Sequence, residues 1–179
     1  MKNIVILISV VCLISCKKEI TTNHSREEAN EPNVSVHNKE MFIIKMNVKY
    51  LKNDRIWVFY TEDIKQDFFS IETFLSKPVK GKEDPQWIFF KFPLGVFPER
   101  IKILFSNNEK QNEIRINEIQ YSKNNKTLKM EGERLANYFN FSKFISTSDG
   151  YQFVLKIVDS VYDPNIVSSS QLDTELIKL

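Results

Sequence analysis

Apolar and polar residues alternate along residues 42–50, and this period of two constrains the fold more than any other feature of the chain. The apolar positions are Phe42, Ile44, Met46, Val48 and Tyr50. In a β-strand successive side chains point to opposite faces, so all five would lie on one face. The segment therefore predicts a strand with one face buried against a core.

Five later segments share this strand character. They are rich in aromatic and β-branched residues or alternate in the same way, and they span residues 55–60, 87–92, 100–105, 141–148 and 151–159. Short strands separated by turns, with no convincing long amphipathic helix, are typical of a sandwich or a barrel. We therefore predict an all-β fold, an antiparallel β-sandwich, for a domain spanning residues 39–166.

Residues 113–121 also alternate, but the alternation changes phase within the segment. Ile114 and Ile116 share one phase, whereas Ile119 and Tyr121 share the other. A β-bulge near Asn117-Glu118 would insert one extra residue and return all four side chains to the same face.

The end of the domain carries a hairpin signal. Asp149-Gly150 lies between two predicted strands and favours a two-residue turn. Residues 133–139 could form one short helical turn, and residues 167–179 look like a loose C-terminal tail.

The first 16 residues are organised differently. A short basic opening precedes an apolar run, residues 4–14, that is too short to span a bilayer but has the length of a signal-peptide core. The run closes on Leu13-Ile14-Ser15-Cys16, which resembles the lipobox of bacterial lipoproteins. The resemblance implies removal of a signal peptide, residues 1–15, by cleavage between Ser15 and Cys16, and attachment of palmitate-type acyl chains to Cys16.

A polar segment follows the lipobox. Residues 16–38 contain both histidines of the chain and little to bury, so we expect a disordered tether that begins at the lipidated Cys16. Two or three acyl chains would form a durable anchor, because each buried CH₂ contributes about 0.8 kcal/mol. The expected location is the cell envelope, at the outer membrane on its periplasmic or surface side, with membrane lipid as one partner.

Composition limits the other groups that the chain could bind. Cys12 would leave with the signal peptide, so no disulfide or cysteine metal site is expected in the mature chain, and no cofactor besides the lipid on Cys16. The formal net charge is +2 and no basic patch stands out, which argues against a nucleic-acid partner.

The order of several segments resembles the galactose-binding-like jelly-roll modules of bacterial surface and membrane proteins. The resemblance covers roughly residues 41–166, and the segments that carry it are residues 57–63, 89–93, 100–108, 114–121 and 163–164. It implies two antiparallel sheets and, as in many members, sugar binding through end loops or a concave face. It implies no catalytic residues. Residues 104–108 lack the Asp and Gly of the family's turn, which weakens the carry-over of a binding or calcium site.

Histidine catalysis is not expected, because both histidines lie in the tether rather than in the domain. Carboxylates such as Glu62, Asp63 and Asp67 could act in pairs, as in glycosidases, but acids in such loops are more typical of solvated turns. We therefore expect a protein that is not an enzyme.

The aromatic residues are the best binding candidates. An exposed Trp offers a flat apolar face and a polar edge to a sugar ring, although ordinary packing is the commoner use of a Trp in a strand. The predicted ligand-binding residues are Trp57, Tyr60, Trp87, Arg55, Asp63 and Asn107.

Three functions remain open on this basis. The first is a non-catalytic module on a lipid anchor that binds a glycan or an envelope protein. The second is an assembly lipoprotein of an envelope complex, whose sheet edge or aromatic face pairs with a membrane protein. The third is a carboxylate-based glycan hydrolase, which would need two acids about 5–10 Å apart in a cleft.

Overall fold

The computed structural model describes residues 40–67 and 73–179. The signal peptide, Cys16 and the tether expected within residues 1–38 lie outside these ranges. In chain order the elements are β1 (Phe42–Tyr50), β2 (Asp54–Thr61), β3 (Phe74–Val79), β4 (Gln86–Lys91), β5 (Arg100–Leu104), β6 (Glu113–Lys123), β7 (Lys126–Met130), α1 (Arg134–Tyr138), β8 (Phe139–Phe141), β9 (Ile145–Thr147), β10 (Gln152–Leu155), β11 (Asn165–Ser168) and α2 (Ser170–Lys178).

The strands form two antiparallel sheets packed as a sandwich, which confirms the predicted fold class. Sheet A has the order β4-β1-β6-β10-β9, and β7 also pairs with β6. Sheet B has the order β3-β2-β5-β11-β8. Most neighbours within a sheet are distant in sequence, because the chain crosses repeatedly from one sheet to the other.

The core lies between the two inner faces. All five alternating apolar residues of β1 are buried, as their spacing predicts. Phe92 contacts both sheets: its ring centroid is 5.3 Å from that of Phe42 on β1 and 4.8 Å from that of Tyr60 on β2. Both pairs meet edge to face, an arrangement that the ring quadrupoles favour.

The predicted β-bulge is confirmed. Along the β1–β6 pairing Asn47 is opposite Glu118 and Val48 is opposite Ile116, so Asn117 is the extra residue. The apolar residues on both sides of the bulge are buried, namely Ile114, Ile116, Ile119 and Tyr121. The bulge also leaves Asn117 and Glu118 on the opposite, outer side.

The hairpin signal at Asp149-Gly150 is correct in position but wrong in turn length. Thr147 pairs with Phe153, so residues 148–152 form the connection. The Asp149 carboxylate accepts hydrogen bonds from the backbone of Tyr151 and Gln152 at 2.8 and 2.7 Å, which stabilises this wider loop. The strand predicted over residues 141–148 is also divided between two elements, because β8 lies in sheet B and β9 lies in sheet A.

The C-terminal segment is not a loose tail. The side chain of Ser169 accepts a hydrogen bond from the backbone of Leu172 and caps α2, while Leu172 and Leu176 are buried in the core. The folded domain therefore extends past residue 166 to the C-terminal helix.

The expected short helical turn is confirmed as α1. Among the described residues no helix is long and apolar enough to cross a membrane.

Candidate ligand-binding face

The structure places the predicted binding residues in separate parts of the sandwich. Trp87 lies on the outer face of sheet A, whereas Trp57 and Arg55 lie on the outer face of sheet B. Tyr60 is only 8 % exposed and faces the core between them. The two tryptophans therefore cannot contribute to one site, because the hydrophobic core separates them.

Asp63 and Asn107 lie at opposite ends of the sandwich, since they follow the antiparallel neighbours β2 and β5. The Asp63 carboxylate accepts a hydrogen bond from the backbone of Lys65 at 2.9 Å, and Glu62 accepts one from the backbone of Phe97 at 2.8 Å. Asp63 therefore stabilises its own turn, and Glu62 connects that turn to the loop that contains Phe97. Within residues 40–67 and 73–179, no three His, Cys, Asp or Glu side chains are grouped to hold a metal ion.

Asn107 lies beside a partly buried polar cluster at its end of the sandwich. Ser106 donates a hydrogen bond of 2.5 Å to the Asp54 carboxylate, and the Tyr50 hydroxyl donates one of 2.9 Å to the Phe105 carbonyl. Burial raises the pKa of Asp54, although its hydrogen bonds with Ser106 and the backbone act in the opposite direction. Each of these polar groups is hydrogen-bonded within the protein, so the cluster stabilises the turn after β5.

Trp87 is the most exposed of the predicted aromatic residues. Its side chain is 43 % exposed, and Phe89, two residues further along β4, is 45 % exposed. The two ring centroids are 6.5 Å apart. Both rings point outward because β4 alternates, and both remain accessible because β4 has β1 as its one neighbour among the described strands of sheet A.

Trp87, Phe89, Lys45 and Gln120 together line a shallow depression of about 230 Å³, which we call the sheet A platform. The strand register explains the grouping: Lys45 on β1 is opposite Phe89 on β4 and opposite Gln120 on β6. Two aromatic rings, an amide and an ammonium group are therefore presented on one surface.

A polar network continues from the platform along the outer face. Asn117 donates to the Asn47 side chain at 2.6 Å and accepts from the Arg115 guanidinium at 3.1 Å. Gln120 donates to the Glu118 carboxylate, whose other oxygen lies 2.9 Å from the Lys129 ammonium. These bonds hold the amides and charged groups in defined positions beside the exposed rings.

The bonds of this network stabilise the charged form of Glu118. Burial alone would raise its pKa, but hydrogen bonds from Lys129 and Gln120, together with the positive charge of Lys129, leave the pKa below its usual value. Lys129 thus pairs with Glu118, and its ammonium also lies 3.3 Å from the Glu131 carboxylate.

The outer face of sheet B is more closely packed around its tryptophan. Trp57 is half-buried, and the Phe59 ring lies 5.5 Å from the Phe74 ring. Arg55 donates a hydrogen bond to the Ser76 hydroxyl at 2.9 Å. A larger groove of about 500 Å³ lies on the same face, lined by Asp67, Arg100, Lys102, Ser142, Lys143, Phe144, Asp163, Asn165 and Val167.

Sequence reasoning identified Trp87 but missed the rest of the sheet A platform. Phe89 could have been added, because it shares the phase of Trp87 within one strand. Lys45 and Gln120 carry no such signal, since only the pairing of distant strands brings them beside the rings.

Comparison with known proteins finds no matching family model, no similar curated protein and no similar solved structure.

Proposed function

We propose that this chain is a lipid-anchored, non-catalytic protein that binds glycans through the sheet A platform. One observation carries the proposal: Trp87 and Phe89 are both exposed on the same face and line a depression with Lys45 and Gln120. Adjacent large aromatic side chains left in water cost solvation free energy and commonly mark interaction sites. The flat rings can pack against the apolar face of a sugar, while the amide and ammonium groups bond to its hydroxyls.

The test compares the two tryptophans. We expect Trp87→Ala to weaken binding of any glycan recognised on an array by about tenfold or more, equivalent to about 1.4 kcal/mol, because the stacking surface is lost. Trp57→Ala is the matched control on the opposite sheet and should leave affinity unchanged. Titration of the full chain in detergent measures both, and thermal unfolding confirms that both variants are folded.

Either of two results would contradict glycan binding at this face. One is an array on which the full chain recognises no glycan. The other is a loss of affinity in Trp57→Ala that Trp87→Ala does not show.

The anchor is a separate part of the proposal and is supported by residues 1–16 alone. We propose that Cys16 is lipidated and that the signal peptide is cleaved between Ser15 and Cys16, with the domain held at the outer membrane by residues 16–38. Cys16→Ala should move the protein from the membrane fraction to the soluble fraction, because the acyl chains provide the attachment. A Cys16→Ala protein that is processed to the mature size yet remains membrane-bound would exclude this anchor.

A second candidate function is assembly with an envelope protein by strand addition at β4. Its support is that β4 is an edge strand of sheet A and contains no proline, so its free edge can pair with another strand. Crosslinking in cells from a photoreactive residue in β4 distinguishes the two functions. A single dominant envelope protein that still crosslinks after Trp87→Ala would favour strand addition, because main-chain pairing does not need the indole ring.

A further inference from the structure

Lys45 occupies the middle of the sheet A platform. Its neighbour on one side is Phe89 of β4 and its neighbour on the other side is Gln120 of β6. The side chain is half-buried, and it lines the same depression as Trp87. A ligand whose ring packs on the two aromatic side chains would therefore lie within reach of the ammonium group.

The charges around this position are uneven. Glu118 is the acid nearest to Lys45 in the strand pairing, but its carboxylate is bound by Lys129 and Gln120. In the described part of the chain Lys45 takes part in no ion pair. Lys91, next in phase after Phe89 on β4, likewise has no ion pair within the described ranges. The edge of the platform nearest the rings is therefore positively charged.

We propose that the sheet A platform selects anionic saccharides, with Lys45 binding the acidic group of a sugar whose ring packs on Trp87 and Phe89. This inference rests on the proposed glycan-binding function and specifies its ligand class. A lysine ammonium acts as a compact point charge without the bidentate geometry of arginine, so it can bind either a carboxylate or a sulfate ester. The shared requirement is one negative charge beside a stacked ring.

The half-buried position of Lys45 makes the interaction stronger than an ordinary surface pair. Fully exposed ion pairs are screened by water and salt and contribute little. Here the side chain of Lys45 is half-buried, so water screens it less than a fully exposed lysine. We expect a preference of about fivefold for an anionic over a neutral sugar at low salt, and a smaller preference at high salt.

The test is a set of titrations with three ligands of equal length: an oligogalacturonide, its carboxyl-reduced neutral counterpart, and a sulfated galacto-oligosaccharide. The full chain should bind one or both anionic ligands about fivefold more tightly than the neutral one. Comparison of the two anionic ligands shows whether the natural group is a carboxylate or a sulfate. Lys45→Gln should remove the preference by weakening binding of the anionic ligands more than binding of the neutral ligand, because the amide can still bond to hydroxyls but is shorter and carries no charge.

The matched control is Lys77→Gln, which removes an exposed lysine from β3 of the other sheet and should retain the preference. A preference that persists in Lys45→Gln would overturn the inference, as would equal binding of anionic and neutral ligands by the unmodified chain. These outcomes leave glycan binding itself intact. If none of the three ligands binds and the array is also blank, the proposed function fails and this inference fails with it.

Discussion

Each outer face of the sandwich carries one tryptophan and several cations, yet the two faces differ in how these groups are bound. On sheet B, Trp57 is half-buried, and the Arg100 guanidinium donates to the Gln66 carbonyl at 3.1 Å and lies 3.4 Å from the Asp173 carboxylate. On sheet A, Trp87 is exposed, and Lys45 takes part in no ion pair among the described residues.

The position of each strand in its sheet explains the difference. Trp57 lies on β2, between β3 and β5, so side chains from both neighbouring strands surround it. Trp87 lies on β4, at the edge of sheet A, and has one neighbouring strand in the described part of the chain. Residues of sheet B therefore stabilise the protein's own loops and helix, whereas the edge of sheet A keeps binding groups accessible. This contrast is why we place the proposed site on sheet A.

The largest expected effect tests whether the exposed ring of Phe89 in the sheet A platform contributes to the stability of the fold. Phe89 and Phe90 are adjacent in β4, but Phe90 is fully buried. Phe90→Ala should lower the free energy of unfolding by about 3–5 kcal/mol, because it removes a buried ring and leaves a cavity. Phe89→Ala should cost less than about 1 kcal/mol, because its ring is half in water already. Urea unfolding measures both.

Phe59 provides the comparison on sheet B. Its ring contacts Phe74 and lies under the Lys102 ammonium, 5.7 Å from the ring centroid. Phe59→Ala should therefore cost more than Phe89→Ala and less than Phe90→Ala. Equal costs for Phe59→Ala and Phe89→Ala would remove the distinction between the two outer faces.

A smaller effect concerns the pH dependence of stability. The pKa of Asp173 on α2 is raised, whereas the pKa of Glu118 on sheet A is lowered. Burial raises the pKa of Asp173 on α2, although the hydrogen bond from Ser168 and the charge of Arg100 oppose it. On sheet A, bonds from Lys129 and Gln120 outweigh burial and lower the pKa of Glu118. The folded state therefore holds a proton on Asp173, and releases one from Glu118, more readily than the unfolded chain does.

The two groups should change stability with pH in opposite directions. The stabilising contribution of Glu118 to the free energy of unfolding is complete above the pKa that it has in the unfolded chain, about 4.3. This contribution is lost as the pH falls through the lower pKa that Glu118 has in the folded state. The contribution of Asp173 is larger below its unfolded pKa of about 3.9 and decreases as the pH rises through the higher folded value. Urea unfolding at several pH values measures the difference in the free energy of unfolding between the unmodified chain and Glu118→Gln or Asp173→Asn. The slope of this difference against pH should have opposite signs for the two variants. Slopes of the same sign for the two variants would contradict the assignment.

Much of the fold could be predicted because strand formation here is a local property. Alternation identified β1 and its buried face, and the change of phase in residues 113–121 located the bulge near Asn117-Glu118, where the structure has it. Turn length was predicted less well. Two-residue turns lie at Asn124-Asn125, between β6 and β7, and at Asp159-Ser160, where Val158 pairs with Val161, rather than at Asp149-Gly150. The Asp149 side-chain bonds to the backbone, which sequence does not display, favour the wider loop there.

Helix α2 was not predicted, because its sequence carries little local signal for a helix. Its nine residues have few apolar side chains, and a helix this short is only marginally stable alone. Contact of Leu172 and Leu176 with the core stabilises it, and the sequence does not show where that core surface lies.

The sequence by itself determined which residues of β1 and β6 face the core and favoured an all-β sandwich, because the period-two pattern acts through each strand's own geometry. The tertiary structure decided which exposed residues meet. Lys45, Phe89 and Gln120 come from three strands whose pairing depends on how the two sheets bury their faces, and the same pairing separates Trp57 from Trp87. Strand order is set by the packing of the whole core, so no local pattern can reveal which side chains share a surface.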